Sequence, residues 1–146
     1  MIRVADPANL DTVAGLLSAF RDWWGSSTPP DETFRRTAAT LLEDPNTEFL
    51  LAGTDGLAQL RYRLSAWTGV EDCWLEDLYV RDSARGTGLG RALTEACFER
   101  ARARGCKRIE LDVNEANASA IALYTRLGFS LEPKPPGRTL FLGKKL

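Results

Sequence analysis

The chain has 146 residues, carries 19 Lys and Arg against 20 Asp and Glu for a net charge of −1, and contains no histidine. The length predicts one domain over residues 1–146, and the balanced charge excludes the basic surface expected of a nucleic-acid binder or a polybasic membrane binder. Without histidine, a Ser-His-Asp triad, an imidazole general base and the common histidine metal sites are excluded.

The first half of the chain predicts two helices followed by an antiparallel meander. Asp6 and Pro7 are typical of a helix start, and an apolar face follows at helical spacing as far as Trp24. A second helix is expected to end near Asp44. Strand patterns then cover residues 48–52, 57–66 and 73–80.

The second half predicts a strand, helix, strand, helix, strand order. The third helix begins near Leu89, a strand covers 108–113, and a fourth helix ends at Gly128. Two last strands are expected at 129–131 and 139–142. A strand, helix, strand unit implies a right-handed parallel crossover within a mixed sheet.

A glycine-rich turn, residues 85–91, joins the third predicted strand to the third helix, and we call it the cradle. Its glycines, Gly86, Gly88 and Gly90, let the backbone approach a ligand closely and adopt positive φ. They precede a helix N-terminus, where unpaired N–H groups and the helix dipole favour an anion. The cradle therefore predicts a pyrophosphate site, with Arg85 and Arg91 as phosphate partners.

Two nucleotide-binding patterns compare poorly with the cradle. A dinucleotide fold uses G-x-G-x-x-G with an acidic residue about 20 positions later. Here the third glycine comes one residue early, although Asp112 follows at about that distance. A P-loop requires Gly-Lys followed by Ser or Thr, and the chain contains no such tripeptide. A nicotinamide or nucleotide domain stays a weak alternative.

Two motifs carry a resemblance to a known family. Arg85-x-x-Gly88-x-Gly90 resembles the Q/R-x-x-G-x-G/A motif of the GNAT superfamily of N-acetyltransferases, and Asn117 to Phe129 resembles its second block, N-x-x-A-x-x-L-Y-x-x-x-G-F. The resemblance implies an α/β (α+β) fold with a mixed, mostly antiparallel twisted sheet of six to seven strands flanked by about four helices. It also implies acetyl-CoA as co-substrate, and it allows a homodimer because dimers are common in the family.

The resemblance assigns a set of coenzyme A contacts to this chain. Leu78 and Val80 would pair through their backbone with the pantetheine amides. The implied coenzyme-binding residues are Leu78, Tyr79, Val80, Arg85, Gly86, Thr87, Gly88, Leu89, Gly90, Arg91, Asn117 and Tyr124. Without the second motif, Asn117 would be interpreted as a simple helix cap.

Transfer to an amine requires that the amine lose a proton. At neutral pH, freeing an alkylamine of pKa about 10.4 costs on the order of 4 to 5 kcal/mol. We favour Glu76 as the base, directly or through water, with Asp77 second; strand alternation allows both on one face only if a bulge intervenes. By resemblance, Tyr124 is the general acid that protonates the departing sulfur.

The acceptor is less clearly indicated. The run from Trp74 to Val80 resembles spermidine/spermine N-acetyltransferases, which implies a small cationic acceptor. Trp23 and Trp24 would form the wall of an acceptor pocket, and Asp31, Glu32 and Glu76 would neutralise the ammonium of the acceptor. A cationic acceptor also agrees with a local group of acidic residues, which consists of Glu71, Asp72, Glu76 and Asp77. Arg61 and Arg63 would equally suit an acceptor that carries a carboxylate.

Other features bound the function. The three cysteines, Cys73, Cys97 and Cys106, lack metal spacing, so we interpret them as reduced structural residues and expect no metal and no covalent acyl-enzyme. No apolar run approaches the roughly 20 residues that cross a bilayer and no signal pattern is seen, so we expect a cytoplasmic protein without a membrane partner. A coenzyme A-binding module that senses without transferring stays open as an alternative.

Overall fold

The structure, a computed structural model, describes all 146 residues and divides into two compact units, 1–112 and 113–146. The assignment of one domain to residues 1–146 stays a prediction. None of the helices is both long enough and apolar enough to span a lipid bilayer.

The first unit contains three long helices and one sheet. Its helices are α1 (Leu10–Trp24), α2 (Asp31–Glu43) and α3 (Leu89–Ala103), with short 3-10 turns at Pro7–Asn9 and Asp82–Ala84. Its strands are β1 (Ile2–Val4), β2 (Thr47–Ala52), β3 (Gly56–Leu64), β4 (Glu71–Val80) and β5 (Ile109–Glu110).

The sheet has the order β1-β2-β3-β4-β5, in which the first four strands are antiparallel and β5 runs parallel to β4. One face packs on α1 and α2 through a core that includes Val13, Phe49, Leu57 and Tyr79. The other face packs on α3, whose Leu93 is fully buried. The crossover from β4 through α3 to β5 is the predicted parallel unit.

Local signals explain where α1 begins and ends. The Asp6 carboxylate accepts from the N–H of Ala8 at 2.9 Å, and Asn9 Oδ1 accepts from the Asp6 N–H at 3.1 Å, which closes a capping box ahead of the helix. At the other end Gly25 adopts φ 81° and its N–H donates to the last turn. The predicted helix start and stop are therefore both observed.

The second unit contains one helix, α4 (Ala118–Arg126). Asn117 caps it by accepting from the Ala120 N–H at 3.3 Å. Beyond Gly128, which has φ 96°, there is no further strand and only an isolated bridge between Lys134 and Gly137.

The four predicted helices are observed, but the predicted count of six to seven strands is wrong, because the sheet has five. The strands predicted at 129–131 and 139–142 do not form, and Leu140 to Leu142 are exposed. Alternation of apolar residues says which side chains would share a face, not whether a partner strand is present. Conversely, β1 has three residues, too few to show a pattern, and the strand predicted at 108–113 shortens to Ile109–Glu110.

Candidate active site

A β-bulge interrupts the pairing of the two central strands. Leu75 of β4 lies opposite Leu60 of β3, whereas Asp77 lies opposite Gln59, so Glu76 is the extra residue on β4. Residues directly opposite each other in an antiparallel pair point to the same face. The bulge therefore removes the strict alternation that would have separated Glu76 from Asp77, as the sequence argument required.

Asp77 is the carboxylate with the most perturbed surroundings. It is half-buried beside Gln59, which is only 4% exposed, whereas Glu76 is exposed. Burial, and after it the negative charges of Glu76 and Asp112, raise the pKa of Asp77 to about 6. A carboxylate of this pKa is ionised at neutral pH and is a stronger base than an exposed one, which is the property a general base needs.

The backbone of β4 beyond Trp74 has a free outer edge. The parallel strand β5 pairs only with Cys73 and Trp74, so no strand covers the stretch from Leu75 to Val80 on that side. Leu78 and Val80 pair with β3 on the inner side alone. An extended ligand with amide groups can therefore add to this edge, which is the backbone pairing predicted for Leu78 and Val80.

Tyr79 differs from its two neighbours. Its side chain is buried in the core on the α1 and α2 face and stacks on Phe20, with ring centroids 5.3 Å apart. A ligand on the strand edge would meet the backbone of Tyr79 rather than its ring.

The cradle has the backbone geometry of an anion site. Gly86 and Gly88 adopt φ 75° and 86°, and no heavy atom lies within 4 Å of where a Cβ would stand at either position. Gly88 is the N-cap of α3, and no side chain caps this helix start. The first N–H groups of α3, from Leu89 to Arg91, are therefore available to a ligand. Thr87 is exposed, and its hydroxyl donates to the Ala84 carbonyl at 2.6 Å within the loop.

Both cradle arginines are exposed and make surface contacts. Arg85 Nε donates to the Val80 carbonyl at 3.0 Å, and its guanidinium lies 4.4 Å from the centre of the Trp23 ring. Arg91 Nε contacts Glu95 Oε1 at 2.8 Å. Exposed pairs of this kind are weak, so both cations stay available to phosphate. Sequence reasoning missed Arg81, whose Nε donates to the Thr54 carbonyl at 2.8 Å beside the cradle.

The contact between Arg85 and Trp23 brings a predicted acceptor residue beside the cradle. Trp23 is half-buried, packs against the core and lies 6.1 Å from Phe20, ring centre to ring centre. Trp24 is 48% exposed and lies on the outer side of the same helix. The structure thus places Trp23, and not Trp24, between the core and the cradle.

The predicted acidic groups are partly neutralised by arginines. Asp31 pairs with Arg21 at 2.7 Å, and hydrogen bonds from Ser18 and then Arg21 lower the pKa of Asp31. Arg21 also donates to the Pro29 carbonyl at 2.8 Å, so it fastens the end of α1 to the start of α2. Asp31 is therefore a poor partner for an acceptor ammonium, whereas Glu32 is exposed on α2 without a salt bridge.

Arginines also neutralise part of the acidic group on β4. Glu71 binds Arg104 at 3.0 Å, and Asp72 binds Arg108 at 2.7 Å. Only Glu76 and Asp77 remain without a salt bridge, so the acidic character predicted for the whole group is confined to the bulge.

The motif residues of the second unit lie on α4 and its C-terminal turn. Tyr124 is 9% exposed and packs edge to face on Phe129, with centroids 5.4 Å apart. The Phe129 N–H donates to the Tyr124 carbonyl at 3.0 Å, which closes the turn at Gly128. Asn117 is the N-cap of α4, the role that its position alone suggested.

The thiols are not activated. Cys73 and Cys97 are buried, and burial raises the pKa of Cys73 to about 12 and raises that of Cys97 as well. Thiolates are the nucleophilic form, so neither residue is a nucleophile at neutral pH. No group of three or more Cys, Asp and Glu side chains is placed to hold a metal ion.

Comparison with known proteins identifies the family. The model of the acetyltransferase (GNAT) family matches residues 13–129. The chain therefore belongs to the GNAT family of acetyltransferases, enzymes that take acetyl-CoA as co-substrate, and this confirms the family predicted from the two motifs. The likeness of β4 to spermidine/spermine enzymes stays a prediction.

Individual relatives extend the comparison over different lengths. The chain is 30% identical over 138 residues to the aminoglycoside N(6')-acetyltransferase type 1 of Serratia marcescens, covering 89% of this chain and 91% of that protein. It is 44% identical over 59 residues to the L-methionine sulfoximine/L-methionine sulfone acetyltransferase of Pseudomonas aeruginosa, covering 40% of this chain. That second match spans only 34% of the Pseudomonas enzyme.

A solved structure confirms the fold class. A protein of Arthrobacter sp. FB24 that has been assigned as an acetyltransferase superposes with a TM-score of 0.89 at 33% identity, covering 100% of this chain and 96% of that one. The mixed α/β GNAT fold is thereby confirmed, with five strands and four α-helices.

Proposed function

We propose that this protein transfers the acetyl group of acetyl-CoA to a primary amine of a small acceptor that is cationic at neutral pH, by direct attack of the neutral amine. The observation that carries the proposal is the half-buried carboxylate of Asp77, with its raised pKa, on the strand that leads into the uncapped glycine cradle. Asp77 lies eight residues before Arg85, the first residue of the cradle, on one continuous segment.

The cradle fits coenzyme A in this proposal. Open space above Gly86 and Gly88, the uncapped first turn of α3 and the nearby cations suit a pyrophosphate. The free edge of β4 at Leu78 and Val80 suits the amide groups of the pantetheine arm. Acetyl-CoA supplies the acetyl group as a thioester, already activated for transfer.

In this proposal the base is Asp77, which reverses the order of the two carboxylates favoured from the sequence. Its pKa of about 6 lies closer to neutrality than that of an ordinary carboxyl, so it accepts a proton from the ammonium more readily. Glu76 supports Asp77, because its charge helps to hold that pKa up. Asp77 acts directly or through one water molecule.

The acid in this proposal is Tyr124. This role is supported by the position of Tyr124 in the second motif, between Leu123 and Gly128, and by the edge-to-face packing of its ring on Phe129. Its phenol would donate a proton to the sulfur as the acetyl group leaves. Direct attack is favoured over an acyl-enzyme because burial keeps Cys73 and Cys97 protonated.

One observation favours a second function, a coenzyme A-binding module without transfer. The features that support coenzyme A binding, the uncapped start of α3 and the free edge of β4, do not require that any side chain transfer a proton. The two functions differ only in whether Asp77 takes a proton from a bound acceptor and Tyr124 gives one to the departing sulfur.

Calorimetric titration with coenzyme A, combined with an assay for release of its free thiol from acetyl-CoA, separates them. Transfer predicts binding and a thiol release that increases when amines are added. A binding module predicts the same affinity with no amine-dependent release. Absence of coenzyme A binding would overturn both functions.

A further inference from the structure

Two arginines share a face of the sheet with the proposed base. Arg61 and Arg63 lie two and four residues beyond Gln59 on β3, so all three side chains point the same way. Gln59 lies opposite Asp77 and Arg61 lies opposite Trp74. Because opposed residues share a face, these positions form one strip of the sheet. We call it the acceptor strip: Asp77, Trp74, Arg61 and Arg63.

The two arginines of the acceptor strip lack close acceptors. Arg61 Nη2 lies 3.7 Å from Asp44 Oδ2, which is too long for a hydrogen bond, and Arg61 Nε is buried without a partner. The oxygens of Asp44 instead accept from the Asn46 N–H at 2.9 Å and the Thr47 hydroxyl at 3.0 Å. Arg63 is exposed and forms no salt bridge, although its charge helps to lower the pKa of Asp72, which lies opposite it and is bound by Arg108.

Other arginines near the sheet behave differently. Arg100 binds Glu48 at 2.7 Å, Arg104 binds Glu71 at 3.0 Å, and Arg108 binds Asp72 at 2.7 Å. A guanidinium with a buried, unpaired N–H carries a desolvation penalty that an acceptor oxygen would remove. A carboxylate suits this role, since it can accept from two N–H groups of one guanidinium.

The acceptor strip is polar in a definite direction. Its negative end is Asp77, next to Glu76, and the half-buried Trp74 lies in the middle. Its other end holds Arg61 and Arg63. The buried carboxylate of Asp72 lies opposite Arg63, but Arg108 already binds it at 2.7 Å, so the arginines outnumber the carboxylates at this end. The rows of Gln59 and Arg61 are about 7 Å apart, at roughly 3.3 Å per residue.

This polarity separates two classes of amine. A polyamine with one ammonium at Asp77 would bring a second ammonium towards the guanidinium of Arg61. Two like charges about 4 Å apart repel by about 1 kcal/mol in bulk water, and the repulsion is larger near a protein surface, where the effective dielectric constant is lower. An amino acid would meet an opposite charge at both ends.

We propose that the acceptor is a basic amino acid, whose carboxylate is bound by Arg61 with Arg63 beside it while its side-chain amine lies at Asp77. This inference rests on the proposed function and names the substrate class of that same site. The Trp74 ring lies under the chain that joins the two charged groups. Arg61 is a specificity-determining residue and takes no part in proton transfer.

The test is calorimetric binding to the coenzyme A-saturated protein. Each member of a panel of basic amino acids (lysine, ornithine) is compared with its carboxamide, which keeps the side-chain amine and removes the negative charge. We expect at least one amino acid to bind about tenfold or more tightly than its amide, the size of one charge-assisted hydrogen bond. Equal binding of all pairs, or no binding, overturns the inference.

Variants locate the effect. Arg61→Gln should reduce the ratio of amide to acid dissociation constants to about one, whereas Arg102→Gln, an exposed change on α3, should leave it unchanged. A ratio that survives in Arg61→Gln overturns the assignment. The comparison of acid and amide in the unmodified protein needs no variant, so a variant that folds poorly does not remove the test.

Different experimental outcomes would overturn this inference and the proposed function. Acetylation of amides and polyamines as readily as of amino acids would leave transfer standing and overturn the carboxylate requirement. Selective binding of amino acids without any acetylated product would keep the carboxylate site and overturn transfer.

Discussion

Asp77 lies directly opposite Gln59, although Leu75, two residues earlier, lies opposite Leu60. Leu75 is 3% exposed and shares its face with Cys73, and this is the face of the sheet that packs on α3. Without the extra residue Glu76, Asp77 would continue the same alternation and point towards α3. The bulge therefore decides that the carboxylate lies on the face that α1 and α2 cover, next to Trp74.

The pH dependence of turnover should report on Asp77. Because burial and then the charges of Glu76 and Asp112 raise the pKa of Asp77 to about 6, kcat/KM should fall as pH drops below about 6. Glu76→Gln removes one of these charges, so the acidic limb should move to lower pH. The measurement is a pH profile of acetyl transfer for the protein, Glu76→Gln and the exposed control Glu99→Gln. An acidic limb that does not move in Glu76→Gln would contradict the coupling.

Asp77 should also lower stability at neutral pH. The folded state binds the proton of this carboxyl more tightly than the unfolded chain does, so stability falls as pH rises from about 4 to about 6 and stays reduced above that. Asp77→Asn removes the charge and should raise the free energy of unfolding by about 1 to 3 kcal/mol at pH 8, and by less at pH 5. Urea denaturation at both pH values measures it, with exposed Asp55→Asn as control. A variant less stable than the parent at pH 8 would count against the raised pKa.

Gly88 and Gly105 form a matched pair at the two ends of α3. They have φ 86° and 85°, and neither has a heavy atom within 4 Å of its missing Cβ. Alanine at either position should cost about 1 to 2 kcal/mol of stability, because a side chain disfavours this conformation. Only Gly88→Ala should weaken coenzyme A binding, by about tenfold or more, measured by calorimetry. Equal affinities in the two variants would remove the cradle assignment.

Tyr124→Phe should lower kcat by about a hundredfold and leave the dissociation constant of coenzyme A nearly unchanged, because general acid catalysis acts in the transition state. Tyr62→Phe is the control: its hydroxyl donates to Glu48 at 3.1 Å, so its loss should cost about 1 kcal/mol of stability and no turnover. Steady-state kinetics and denaturation measure both. Unchanged kcat in Tyr124→Phe would reject the acid role.

No acetyl group should remain on the protein after incubation with acetyl-CoA. Burial raises the pKa of Cys73 to about 12, so its thiol stays protonated at pH 7. Intact mass spectrometry should therefore detect no acetylated protein, and Cys73→Ala should keep its turnover. An acetyl adduct that disappears in Cys73→Ala would indicate a covalent path instead.

The helices and the cradle could be predicted because their signals are local. Asp6 and Gly25 mark the limits of the first helix by capping, and Gly88 marks the start of α3 through its positive φ. Each signal acts within one turn of chain, so it can be read from a few neighbouring residues. The strands predicted at 129–131 and 139–142 depended on a partner that the pattern could not specify.

The site was predictable in its residue types but not in its geometry. The position of the bulge depends on the register between β3 and β4, which no single segment encodes. The neutralisation of Asp31 by Arg21 and the contact of Arg85 with Trp23 depend on how α1 meets α2 and the cradle. Adjacent acids at Glu76 and Asp77 were the one sequence signal that a bulge would matter.

The measurement that tests the account most directly is mass spectrometry of acceptor products after incubation with acetyl-CoA and a mixed panel of amino acids, polyamines, aminoglycosides and lysine-containing peptides. The account predicts that one acceptor class gains a single acetyl group, and that Asp77→Asn forms this product at least about a hundredfold more slowly. No acetylated product from a protein that still binds coenzyme A would contradict transfer, and an equal rate in Asp77→Asn would contradict its role as base.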